Sequence, residues 1–141
     1  MVRNVARVKL NQDSFGLLQV IEKMIRVPVK DCVKDSSQMW VVVPTGMLGK
    51  ALGKGAVNVK KLQAKFNLRV KMIEYKDDVV LFVRNVVYPV KVEEISVSEG
   101  VLVFKDSNRK TKSLLYGRDG SNLEMIKRAV SRFFDVDVRI E

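Results

Sequence analysis

LGKGAVNVKKL, residues 52–62, sets a lysine between two glycines and begins an amphipathic pattern directly behind them. YGRDGSNLEMI, residues 116–126, repeats that order: glycine, basic residue, glycine, asparagine, apolar stripe. The offset is 64 residues, from Gly53 to Gly117. On that offset Asn58 falls on Asn122, Val59 on Leu123 and Leu62 on Ile126. Two flanking echoes keep the same order. VPVKDC from Val27 matches YPVKVE from Tyr88, and FNLRVKMIE from Phe66 resembles FFDVDVRIE from Phe133. Ordered matches at nearly constant offset indicate one structural unit used twice.

The pattern of each unit sets its elements. Leu17, Ile21, Met24 and Ile25 recur at helical spacing, and Val27-Pro28 closes that helix. VKDCV and MWVVV read as strands around the turn-like KDSSQ, and GMLGKAL as a short helix running into Gly53. Behind the loop, Val59, Leu62 and Phe66 make one stripe while Lys60, Lys61, Gln63 and Lys65 face water; LRVKMIE then alternates as a strand. In the second unit DVVLFVRNVVY favours a strand on propensity, but the repeat places it opposite the helix at 17–26. Adjacent Asp77 and Asp78 fit a helix start better than a catalytic pair. Ser121 and Glu124 have capping-box spacing, which starts the next helix behind Gly120, with Leu123, Ile126, Val130 and Phe133 as its buried stripe. The junction EYKDDVV is no flexible linker, so a fixed packing of the two units is expected. Their expected bounds are 1–76 and 77–141.

A glycine corner between two helices has a physical use. Glycine allows positive φ and close approach of a ligand to the backbone, and the free N–H groups at a helix start favour anions. Lys54 and Arg118 add positive charge at that place. The alternative is a corner that uses glycine for geometry alone. Charge argues for the anion: residues 50–76 carry eight basic side chains against Glu74, and residues 105–132 carry eight against Asp106, Asp119 and Glu124.

Several chemistries are excluded. A nucleotide P-loop needs G-x-x-x-x-G-K-[ST]; Gly53-Lys54 is followed by Gly55 and Gly49-Lys50 by Ala51. The dinucleotide fingerprint needs a strand before its glycines, and here a helix precedes them. With no histidine and one cysteine, Cys32, the chain lacks the ligands of the usual zinc sites and the imidazole of Ser-His or Cys-His catalysis. No enzyme activity, metal, cofactor or small-molecule substrate is expected. The 141 residues are 47% hydrophobic and 30% charged, as in a folded protein, and the net charge of +10 favours polyanions. The longest apolar runs, such as Val41 to Val43, cannot span a bilayer, and the charged residues 1–10 do not read as a signal peptide. A cytoplasmic location without membrane contact is expected.

The two glycine stretches resemble the GXXG loop and following helix of KH domains. The order helix, strand, strand, helix, GXXG, helix, strand is similar to the type II arrangement. The tandem layout resembles the family of archaeal NusA-like transcription termination/antitermination factors over nearly the whole chain. The resemblance implies an α+β fold of two tandem type II KH domains, each a three-stranded mixed sheet packed against helices. It implies binding of single-stranded RNA in transcription elongation or termination, with RNA polymerase as a further partner. The polymerase-binding N-terminal region and S1 domain of bacterial relatives are not expected within this length. Carried onto this chain, the RNA-binding residues are Gly53, Lys54, Gly55, Ala56, Asn58, Lys60 and Lys61 in the first unit. In the second they are Gly117, Arg118, Asp119, Gly120, Asn122, Lys127 and Arg128. The resemblance implies bases beside Ala51, Leu52, Leu115 and Tyr116, residue types that fit plain core equally well. Ala56 in place of a glycine and Asp119 beside a phosphate path depart from the pattern. They keep two alternatives open: a protein-interaction scaffold with degenerate KH domains, or a ribosome-associated or RNA-processing KH protein.

Overall fold

Helix α1 spans Gln12–Ile25 and turns Leu18, Ile21 and Ile25 into the core, the spacing that buries one face of a helix. In the computed structural model the described residues are 12–141, with side chains from Gly16 onward; the charged stretch 1–10 lies outside them. The described residues fall into two compact units, one running to Lys76 and one beginning at Asp77.

In the first unit, α1 ends where Arg26 adopts φ 57 and its amide bonds the Glu22 carbonyl. Strands β1 (Asp31–Lys34) and β2 (Gln38–Val43) form an antiparallel pair. Their turn is held by the Asp35 carboxylate, which accepts from the amides of Ser37 at 2.8 Å and Gln38 at 2.9 Å. Strand β3 (Arg69–Glu74) lies parallel to β2 on its other side. Parallel neighbours cannot be joined by a hairpin, so the chain leaves the sheet and returns. That crossover consists of α2 (Leu48–Leu52), a 3-10 turn (Lys54–Ala56) and α3 (Val57–Phe66). Cys32, Met39, Val41, Val43, Val70 and Met72 pack with Ala51, Leu62 and the α1 residues in one core. The other face of this sheet is buried too, at Val33, Trp40, Val42 and Ile73, which fits the unbroken apolar run of β2.

The second unit repeats the plan. Helix α4 (Val79–Val87) is capped by Asp78, whose carboxylate accepts from the Leu81 amide at 3.1 Å. The stretch with strand propensity is a helix because its buried residues, Val79, Phe82, Val83, Val86 and Val87, follow helical spacing. The Phe82 ring meets Phe133 edge-on at 5.5 Å and Phe134 at 5.8 Å. Strands β4 (Glu94–Ser98) and β5 (Val101–Lys105) are antiparallel, and β6 (Asp137–Ile140) is parallel to β5. The crossover is α5 (Arg109–Tyr116), a 3-10 turn (Arg118–Gly120) and α6 (Ser121–Ser131). Asp106 ties its start: one carboxylate oxygen accepts from the Glu93 amide at 3.0 Å, the other from the Asn108 amide at 2.8 Å.

The α+β class, with two three-stranded mixed sheets packed against helices, is the architecture observed. Two details differ from expectation. Helix α6 does begin behind Gly120, but Gly120 itself is the cap and no side chain closes it, so Ser121 and Glu124 form no capping box. The left-handed backbone of Gly120 brings Ser121 into the helix as its first residue, one position too late for a capping side chain. The buried face of α6 is Met125, Ile126, Ala129 and Val130, followed by Phe133, while Leu123 is only half-buried.

Candidate nucleic-acid interface

Both crossovers turn through four residues on the same backbone path. Gly53 has φ 74 and ψ 174, and Gly117 φ 71 and ψ −178. This region is open essentially to glycine alone. The third positions, Gly55 (φ 61, ψ 26) and Asp119 (φ 56, ψ 27), are left-handed, as are the fourth, Ala56 (φ 57, ψ 33) and Gly120 (φ 77, ψ 9). Left-handed backbone is strained but reachable for Ala and Asp. The first glycine of each loop is therefore obligatory, while the later positions vary.

A second constraint fixes the same glycine. A Cβ on Gly117 would stand 2.5 Å from the Asn122 Cβ, and one on Gly53 would stand 3.0 Å from the Val57 Cγ1 and 3.1 Å from the Asn58 Nδ2. The asparagines come this close because each reaches back across its loop. Asn58 Nδ2 donates to the Ala51 carbonyl at 3.0 Å; Asn122 Nδ2 donates to the carbonyls of Leu114 and Leu115, both at 3.1 Å. These carbonyls end α2 and α5 and have no further helical turn to bond. The asparagine thus bolts the incoming helix to the outgoing one.

The crown of each loop is open. The bonds that close each 3-10 turn run from the amides of Ala56 and Val57 to the carbonyls of Gly53 and Lys54, and from those of Gly120 and Ser121 to Gly117 and Arg118. The amides of Lys54 and Gly55, and of Arg118 and Asp119, precede them and have no acceptor within the turn. Two successive N–H groups of this kind at a helix-proximal turn with left-handed residues form a concavity suited to an anion. The side chains of Lys54, Arg118 and Asp119 are exposed, and a Cβ at Gly55 or Gly120 would meet nothing within 4 Å.

The sequence-derived candidates separate on this geometry. Lys54, Lys60 and Lys61 are exposed beside the first loop. Arg118 is exposed at the second loop and Arg128 on α6, and Lys127 is half-buried. Asn58 is buried and Asn122 half-buried, with both amides turned inward, so their side chains position the loop. Of the residues expected beside bases, Ala51 and Leu115 are wholly buried, Ala51 in the core lined by the first sheet. Leu52 is half-buried and Tyr116 is 43% exposed. Residue-type reasoning passed over Leu114 (52% exposed) and Val57 (39%), apolar side chains flanking the loops. Their one sequence sign is that they fall off the buried stripe. Among the described residues no helix is long and apolar enough to cross a membrane, and no cluster of His, Cys, Asp and Glu could hold a metal ion.

No family model matches the chain. A curated protein of Methanocaldococcus jannaschii, named "Probable transcription termination protein NusA", does match it, 33% identical over 131 residues. The match covers 91% of this chain and 72% of the relative. The chain belongs to the archaeal NusA-like family. A relative of the same name from Halococcus morrhuae is 27% identical over 133 residues, covering 93% of the NusA-like chain and 96% of the relative. The crystal structure of APE1850 shares the fold, with a TM-score of 0.73 and 23% identity over 94% of this chain and all of that one. Two glycine crossovers thus sit in a NusA-like chain whose relatives carry a name from transcription termination.

Proposed function

We propose that this NusA-like chain binds single-stranded RNA in transcription elongation and termination. Residues 1–76 and 77–141 are each a type II KH domain, and the 53–56 and 117–120 loops are their GXXG corners. The observation that carries this reading is a pair of amides with no acceptor in their own turn, at the crown of a glycine corner built twice on one backbone path. Those N–H groups donate to phosphate oxygens of the RNA backbone, and Lys54 and Arg118 neutralise the charge beside them. Lys60 and Lys61 extend the positive surface along α3, and Lys127 and Arg128 along α6. Asn58 and Asn122 touch no RNA in this reading and hold the corners in shape. RNA polymerase is the second partner proposed, on the strength of the family name.

The test is fluorescence anisotropy of labelled single-stranded and duplex RNA across a salt series. Binding favours the single strand, and log affinity falls with log salt at a slope of roughly −0.7 for each phosphate neutralised. Lys54→Glu combined with Arg118→Glu, both at exposed positions, abolishes most binding without changing the melting temperature. Affinity indifferent to salt, strandedness and this double variant defeats the proposal. Capture of polymerase subunits from nuclease-treated extract by a chain without RNA affinity favours the interaction scaffold instead.

A further inference from the structure

The two loops share a backbone but differ in what surrounds them. At the offset of 64 residues, exposed Lys50 gives way to Leu114, half-buried Leu52 to Tyr116, Gly55 to Asp119 and Lys60 to Glu124. Leu114 and Tyr116 are 52% and 43% exposed, and Asp119 and Glu124 are exposed. Each exchange removes a cation, adds a carboxylate or adds exposed apolar surface, and all four lie on the loop or within a turn of it. One basic position is kept, Lys54 against Arg118. The remaining α6 cations, Lys127 and Arg128, stand in the second half of that helix, away from the crown.

The backbone path is common to both loops, yet an anion at their crowns meets different charges. Lys50, Lys54 and Lys60, all exposed, lie on the first loop or within about a turn of it, with no acid between residues 50 and 61. At the second crown Asp119 carries its carboxylate on a residue whose amide has no acceptor within the turn. Asp119 forms no ion pair or side-chain hydrogen bond among the described residues, and its neighbour Arg118 is the one cation in the loop. An exposed tyrosine one residue before the loop offers a flat π-face, and aromatic faces bind bases irrespective of backbone charge.

Resting on the RNA-binding reading above, we propose that the two loops divide the work. The 53–56 loop grips backbone phosphate. The 117–120 loop, where Asp119 weakens the hold on phosphate, chiefly engages bases: the Tyr116 ring stacks on one, Leu114 packs beside it, and the Asp119 carboxylate accepts a base N–H. The first unit supplies salt-sensitive affinity and the second supplies preference for what the backbone carries.

Two labelled probes separate these roles in the full chain: a single-stranded RNA oligonucleotide, and an abasic ribose-phosphate oligomer of equal length. Lys50→Ala with Lys54→Ala weakens binding of both probes and flattens the salt slope. Tyr116→Ser weakens the base-bearing probe roughly tenfold, as expected for one lost stacking contact, and leaves the abasic probe and the salt slope unchanged. Asp119→Asn keeps a residue that tolerates left-handed backbone and tightens the abasic probe about fivefold at low salt. A Tyr116→Ser protein that binds the base-bearing probe like wild type overturns the division of labour, as does an Asp119→Asn protein with no gain. Wild type that binds neither probe overturns the RNA reading itself.

Discussion

The Cβ that Gly117 lacks would lie 2.5 Å from the Cβ of Asn122, and the same glycine takes a backbone conformation closed to other residues. Its counterpart Gly53 has the same backbone, but its nearest obstacles, at 3.0 and 3.1 Å, are side-chain atoms of Val57 and Asn58. Gly117→Ala therefore pays for both backbone strain and a collision with main chain, since the Asn122 amide nitrogen would be only 2.8 Å away. We expect Gly117→Ala to destabilise its unit by more than about 2 kcal/mol and Gly53→Ala by less. Urea denaturation of the two variants checks the order; equal or negligible losses would contradict it.

Asn58 is the buried member of the asparagine pair, and its amide satisfies the Ala51 carbonyl. Asn58→Ala leaves that carbonyl without a partner and out of reach of most water, at a cost of about 1–3 kcal/mol. Asn122→Ala costs less, because Asn122 is half-buried and its bonds to the Leu114 and Leu115 carbonyls are exposed and part-buried. Denaturant midpoints, read with amide hydrogen exchange at the α2 and α5 ends, test this. Exchange unchanged in both variants would mean the asparagines do not bolt the loops.

Ala56 is left-handed at φ 57 where the second loop has Gly120. Relief of that strain outweighs the added freedom of the unfolded chain, so Ala56→Gly should stabilise the first unit by about 0.5–1 kcal/mol. The measurement is the shift in urea midpoint at constant slope. A loss of stability would show that the methyl group makes favourable contacts worth more than the strain.

Lys71 lies opposite Trp40 in the β2–β3 register, with its ammonium 4.6 Å from the ring centroid. Burial lowers its pKa from 10.5 to about 8, outweighing any attraction of the ring for the charged form. The folded protein thus binds this proton less tightly than the unfolded chain does. Between about pH 8 and 10.5 the unfolded state holds more protons, so stability rises with pH across that window. Below pH 8 the cost of the buried charge is present in full. Urea midpoints measured from pH 7 to 10.5 should climb for wild type and lose that component in Lys71→Met. Parallel curves would refute the assignment.

The repeat, the strand and helix order and the glycine corners were legible in the sequence because they rest on local rules. Apolar spacing in α1, α3 and α4 follows the helical period whatever the partner surface. The repeat was strong enough to read α4 as a helix against the β-propensity of its valines. Even the continuous apolar run of β2 announces burial on both faces. What surrounds the loop crowns, Lys50, Lys54, Gly55 and Lys60 against Leu114, Arg118, Asp119 and Glu124, can be read from the offset once the backbone paths are known to coincide.

Other features belong to the folded chain. Asn58 and Asn122 have the residue type and position of ligand contacts, yet the crossover turns their amides onto carbonyls seven or eight residues earlier. Ser121 and Glu124 have capping spacing, but a left-handed Gly120 moves the helix start by one residue and leaves the box unmade. Ala51 and Leu115 fit either a base-flanking surface or plain core by residue type, and only the folded chain buries both completely. Local periodicity encodes which elements form, since it depends only on neighbours in the chain. Which side of each element is covered, and where each polar group finds its partner, depends on residues brought together from a distance, and only the packed structure decides that.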